Sequence, residues 1–575
     1  MNDLRKLIVA AYSANELIPF ICQYRSEEES LVQLLGELDH TREIDLIACV
    51  TTVKRVPGDT TFFNVKDIFE RVLPSLDRNV SQVMNCVTYL FSVANGDGTA
   101  GSVFSPYTAF CKIDIRRAQE AVDLAVSEPS RFKILIPSSL AAWSTHDLAG
   151  AFARCVVLSA DEDAEVGPQG LYGIGSLAFN DQSREVLDRA IKFLVKTMNE
   201  ETDDIRLAAC IHSCASLPNG LTEIAKQWMP TAIRIARPEL PRVIHELTTL
   251  LFCSCEKIEK DFISELAIKI RSVNSKNSGT IYHVDMALSR LVDLGHERIA
   301  IETAEVLVTR KDDPVSPKSL DGFQHSILDK DHLSLVATKW FLKADVVLCR
   351  WVLKMVGSIH GNEISIAVDK SLVREGSEDD LMFLSRKSVG YLNSHPITAA
   401  SMILSCMSLS KNDEYKDELS NLLLNPLLLS YSDKLPKYLL EYLPGCAPEI
   451  TDRVKLQLAK HDGWLKQLQS MPSHDELLPS ENQRREYNQY MSEIVRESMD
   501  SESKKSVFMQ MVSKTIVLYG DSTSGMMHVG RGKSQRFESK MSNASIDFEV
   551  PRLPTLDPWG FDISMRRFRN EKFEP

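Results

Sequence analysis

The chain has 575 residues, 44% of them hydrophobic and 25% charged, and a formal net charge of −13. These are globular proportions, so wholesale disorder is excluded, and 25 Gly with 24 Pro are too few for a large, turn-dense all-β protein. An acidic body repels phosphate backbones, which argues against non-specific nucleic-acid binding by the protein as a whole.

The first twenty residues, MNDLRKLIVAAYSANELIPF, are basic and then apolar, but Asn15 and Glu16 break the apolar run. No secretory leader is expected there, and no run of 18 apolar residues that would cross a membrane occurs elsewhere. Residues 1–135 read as an N-terminal helical region. It is interrupted at Pro57-Gly58-Asp59 and again at NGDGTAGSVFSP, 95–106. An acidic loop follows at Asp161-Glu162-Asp163 and Glu165. It lacks the ligand spacing of a calcium loop and reads as solvated.

Residues 136–470 read as a helical-repeat body. Leu187, Ala190, Ile191, Leu194 and Met198 fall on one helical face. Leu207, Cys210, Ile211, Cys214 and Leu217 do the same, and PNG at 218–220 ends that helix. Similar segments recur about every 20 residues, two helices to each ~40-residue period. Amphipathic pairs of this kind bury their apolar faces only by stacking on their neighbours. In period and pattern the stretch resembles HEAT and armadillo repeats. The resemblance implies a mainly α fold, an α-solenoid body, whose surface binds a protein partner.

Residues 471–510 read as a polar linker and a last helix. The tail, 511–575, changes texture. KTIVLYG, MMHVGRG, RFESKMS and ASIDFEV read as strands of a small antiparallel β-containing module, and PRLPTLDPWGF reads as an extended Pro-rich arm. From 504 to 575, twelve Lys and Arg face eight Asp and Glu, so this segment carries +4 and the remainder −17.

Several motifs imitate chemistry without completing it. A phosphate loop ending at Gly532-Lys533-Ser534 needs glycine where Met527 stands. IVLYGDSTSG resembles the nucleophile block of SGNH hydrolases, with Ser522 as nucleophile. Only 53 residues follow it, and they hold one histidine, His528. In Cys210-x-His212-x-Cys214 and Cys253-x-Cys255 the cysteines read as core residues rather than zinc ligands. His146-Asp147, His461-Asp462 and His474-Asp475 resemble the pairs of all-α metal-dependent hydrolases but read as helix ends with capping aspartates. No catalytic, cofactor-binding or metal-binding residue is therefore assigned.

The residues that remain are cationic. Arg531, Lys533 and Arg536 follow the hairpin, and Arg566, Arg567 and Arg569 bracket Phe568. Arginines interleaved with aromatics hold nucleic acid or an acidic protein surface, or dock on the chain's own body. Twelve scattered cysteines point to a reducing cytosol. The expected function is a cytoplasmic, non-catalytic scaffold. The alternatives are a nucleic-acid accessory protein using the tail, a self-assembling structural protein, and a metal-dependent helical hydrolase.

Overall fold

A computed structural model describes residues 2–24, 28–56, 60–94, 97–180, 183–359, 364–472, 480–486, 488–490, 492–493, 496 and 549–572, together with the backbone alone of 522–528 and 534–540. The described residues are mainly α. By packing, the chain divides into two compact units, 1–336 and 337–575. The division falls inside the stretch 136–470 that reads as one helical body.

In the first unit, helices begin at Gly167, Asp204, Pro241 and Ser278, each 37 residues after the last. These four, Gly167–Ser176, Asp204–Ser216, Pro241–Ser254 and Ser278–Asp293, pack one on the next. The helix that follows each of them, Arg184–Glu200, Ala225–Ile235, Lys260–Ile270 and Glu297–Thr309 respectively, belongs to a second row that also packs successively. Alternate helices thus build two layers, an arrangement compatible with a helical-repeat fold.

Local chemistry sets these boundaries. Asp203 caps Asp204–Ser216 by accepting the Arg206 N–H at 2.9 Å. Beyond Ser216, Asn219 takes φ +55°, and the buried Trp228 indole donates to the Gly220 carbonyl at 2.8 Å. Carboxylates also tie one repeat to the next. Asp204 accepts the Arg242 and Val243 N–H groups at 2.8 and 3.0 Å, and Asp285 accepts those of Gly322 and Phe323 at 2.8 Å each. Each carboxylate satisfies orphan donors at the start of a neighbouring helix.

Gly167–Ser176 packs closely on its neighbours through its glycines. A Cβ on Gly170 would lie 2.5 Å from the Ser159 nitrogen, one on Gly173 2.6 Å from Leu140 Cδ1, and one on Gly175 2.7 Å from Ser213 Cα. Ser213 Oγ crosses the same contact and donates to the Leu171 carbonyl at 2.7 Å.

The second unit is built around Glu378–Leu392 and Pro396–Leu409, which pack together and are buried on nearly all sides. Pro396–Leu409 is apolar or small nearly all round, as an enclosed helix requires, whereas Glu378–Leu392 buries Ser385, Lys387 and Ser388 among its apolar residues. Asp413–Leu422, Lys434–Tyr442 and Pro448–Ser470 surround them. The helix expected after the linker starts earlier than its apolar pattern suggests. Ser480 and Gln483 exchange contacts as a capping box, and the backbone is already helical at 481–486.

The tail departs most from expectation. PRLPTLDPWGF is not an extended arm: it lies in the helices Leu553–Leu556 and Pro558–Asn570. Pro554 and Pro558 sit in first turns, where a missing N–H costs nothing, and Asp557 caps the second helix by accepting the Gly560 N–H at 3.0 Å. The backbone of 522–528 pairs antiparallel with 534–540, Ser522 opposite Lys540. Residues 522–525, which lie between the expected strands KTIVLYG and MMHVGRG, thus belong to the first strand itself. This ladder is all that is described of the expected β-containing module; the rest of 511–548 lies outside the described residues.

Candidate interaction site

In the first unit a row of half-exposed side chains crosses four successive helices of one layer. Tyr172 meets His212 edge to face at 5.2 Å. His212 Nδ1 lies 3.3 Å from Glu246 Oε2. His245 stacks on His283 with centroids 4.7 Å apart, and Tyr282 lies 6.0 Å from the same ring. Two threonines lock the stack: His245 Nδ1 contacts Thr280 Oγ1 at 3.0 Å, and His283 Nδ1 contacts Thr249 Oγ1 at 2.8 Å. Tyr282 stays 58% exposed.

Burial, with His245 alongside, holds His283 below its ordinary value of 6.5, against the opposing pull of Glu246. The unfolded chain therefore takes up a proton near pH 6.5 before the folded chain does. Stability is lost as pH falls from 6.5 through the folded value. Thermal unfolding at pH 7 and pH 5 is expected to show a larger acid-induced drop for the native chain than for His283→Gln, which keeps a hydrogen-bonding group beside Thr249 but does not titrate.

In the second unit the C-terminal segment docks on Glu378–Leu392. Lys387, fully buried, donates from Nζ to the carbonyls of Arg569 at 2.7 Å and Glu571 at 2.6 Å. Arg569 Nε donates to the Gly390 carbonyl at 2.5 Å, and Arg386 pairs with Glu571 at 2.9 Å. Gly390 permits the approach, since a Cβ there would lie 3.0 Å from Phe568 Cβ. Upstream, Glu549 accepts the Asp433 and Lys434 N–H groups at 2.8 and 3.2 Å. Burial pulls the Lys387 ammonium below its ordinary value, opposed by Glu571 among others.

Of the sequence-derived cations, Arg569 thus contacts the chain itself, Arg566 pairs with Asp562 at 2.8 Å while 73% exposed, and Arg567 is exposed. Arg531 and Lys533, and the side chain of Arg536, lie outside the described residues. Sequence reasoning misses Lys387, Gly390 and Arg386; the one signal it offers is an Arg-Lys pair inside a largely apolar stretch, LMFLSRKSVGYL.

The other motifs resolve into structure. Cys210 and Cys214 are buried in the apolar face, but of the other pair only Cys255 is the core residue expected; Cys253 is exposed. Asp147 caps the helix Leu148–Ser159, and His146 Nε2 contacts the Lys112 carbonyl at 2.7 Å. His461-Asp462 is not the helix end expected: both residues lie inside Pro448–Ser470, His461 buried, and Asp462 caps nothing there; His474-Asp475 lies outside the described residues. Among the described residues, no helix is long and apolar enough to cross a membrane. No model of a known protein family matches the chain, and no curated protein matches it either.

Proposed function

We propose that the protein is a non-catalytic interaction subunit: a HEAT-like α-solenoid that holds a protein partner within a larger assembly. The row Tyr172, His212, Glu246, His245, Tyr282 and His283 carries this reading. Rings held in place by neighbouring rings and threonines lose little freedom on binding, and interface hot spots favour rigid aromatic groups. Stacked repeats supply the extended surface on which such a row works. A small β-containing element in the tail belongs to the same proposal, supported by the 522–540 ladder. Twelve free thiols suit the reducing cytosol.

The test is co-purification of the tagged full-length chain from its native source at low salt, followed by the same experiment with Tyr172→Ala, His212→Ala and Tyr282→Ala combined. All three side chains reach solvent, so the fold is expected to persist, which circular dichroism checks. At about 2 kcal/mol for a hot-spot residue, the partner's affinity falls by more than 100-fold. A partner held with unchanged affinity refutes this surface.

A further inference from the structure

The docked C-terminal helix completes a cavity of about 180 Å³ against Val346–Ser358. Arg350, Arg566 and Arg569 line it with Tyr391 and Asn570, over walls of Val346 and Leu353. Among the described residues no Asp or Glu lines it, although the chain as a whole carries −13. Two of the guanidinium groups are anchored through Nε: Arg566 by Asp562 at 2.8 Å, and Arg569 by the Gly390 carbonyl at 2.5 Å. Arg569 also lies 5.9 Å from the Tyr391 ring. A guanidinium carries five N–H donors, and each anchor occupies one.

The same helix face continues beyond the cavity. Trp559, Ile563, Arg566 and Asn570 stand at i, i+4, i+7 and i+11, so they form one stripe. Trp559 is 79% exposed and Ile563 64%. Seven residues of helix separate Trp559 from Arg566 by about 10 Å along the axis.

We propose that this cavity and stripe form a binding site for single-stranded nucleic acid. The three arginines take one phosphate of the backbone, and a base stacks on Trp559 roughly two helical turns away. The volume suits a single phosphate, and anchored guanidinium groups suit its tetrahedral oxygens. An acidic peptide would use the same arginines but gives no role to an exposed indole at this spacing. The exposed indole therefore favours nucleic acid. The site goes beyond the partner-holding role of the repeat body and does not depend on it.

Fluorescence anisotropy of the full-length chain with a labelled 12-nucleotide oligouridine, titrated across KCl concentrations, tests the site. Arg350→Ala combined with Arg566→Ala is expected to reduce the slope of log affinity against log salt by about 0.7, the contribution of one single-strand phosphate. Trp559→Ala weakens binding by about tenfold and leaves the slope unchanged. All three side chains are exposed, and circular dichroism confirms that the variants fold. The proposal is overturned by no binding of the native chain at 50 mM KCl, or by an unchanged slope in the arginine pair. It is equally overturned if binding depends only on Arg531, Lys533 and Arg536. Tighter, arginine-dependent binding of a polyglutamate peptide than of oligouridine overturns it in favour of an acidic protein partner.

Discussion

Gly170→Ala is expected to destabilise the first unit by about 3 kcal/mol, although alanine is the better helix former. Two terms oppose each other. Helix propensity favours alanine by about 1 kcal/mol inside a helix. Against it, the new Cβ would lie 2.5 Å from the Ser159 nitrogen and 2.8 Å from the Leu158 carbonyl carbon. Both are backbone atoms of a packed helix and cannot swing aside as a side-chain tip can, so Gly167–Ser176 has to move away from Leu148–Ser159. That shift also disturbs the Leu140 and Ser213 contacts on its other sides. Gly463 supplies the control. It lies inside Pro448–Ser470, and a Cβ there meets nothing within 4 Å. Gly463→Ala keeps only the propensity term and is expected to stabilise the second unit by about 0.5–1 kcal/mol. Chemical denaturation of both variants checks the pair. Equal effects of one sign would mean that the close approach at Gly170 does not constrain the fold.

That contrast marks how far sequence alone reaches. Helices whose apolar residues keep a 3.6-residue period are legible. Leu207, Cys210, Ile211, Cys214 and Leu217 read as one face, and all five are buried. The stop at PNG is legible because Asn and Gly tolerate the backbone a helix end needs. The roles of Gly170 and Gly390 are not, because each is defined by a backbone from another helix, and Gly390's neighbour is almost 180 residues away. The C-terminal helix escapes a sequence reading for a local reason. Counting prolines treats each as a breaker, whereas position decides the effect: directly after the Asp557 cap, Pro558 starts a helix. The arginines are legible as a cluster but not as to what they face, since Gly390, Tyr391 and Arg350 come from distant segments. The His245–His283 stack is hidden because 38 residues separate the pair, and only the repeat spacing places them on adjacent helices.

Lys387 offers the sharpest test of the C-terminal dock. Its ammonium is fully buried, and two of its hydrogen bonds go to the docked helical C-terminal segment, called the arm below, at the carbonyls of Arg569 and Glu571. With the arm in place, Lys387→Met removes both bonds and leaves two carbonyls without their donor, at an expected cost of about 2 kcal/mol. Gly390→Val acts from the other side. Its Cβ would crowd Phe568 Cβ at 3.0 Å and the Arg569 nitrogen at 3.2 Å, and the branched side chain needs still more room, so the arm is expected to lift. At about 2–3 kcal/mol, lifting raises the open population roughly 30- to 150-fold. Tryptic cleavage after Arg566, Arg567 or Arg569 should accelerate by a similar factor, because cleavage follows the open state when closing is fast. Combining the substitutions separates their roles. Once the arm is lifted, Lys387 has lost those two acceptors, and the Phe383 ring 5.1 Å away is set against the cost of holding a charge out of water in the vacated groove. Lys387→Met should then become neutral or stabilising, reversing its sign. If it costs the same in both backgrounds, holding the arm is not what Lys387 does. A reversal would establish the groove as a receptor built for this segment.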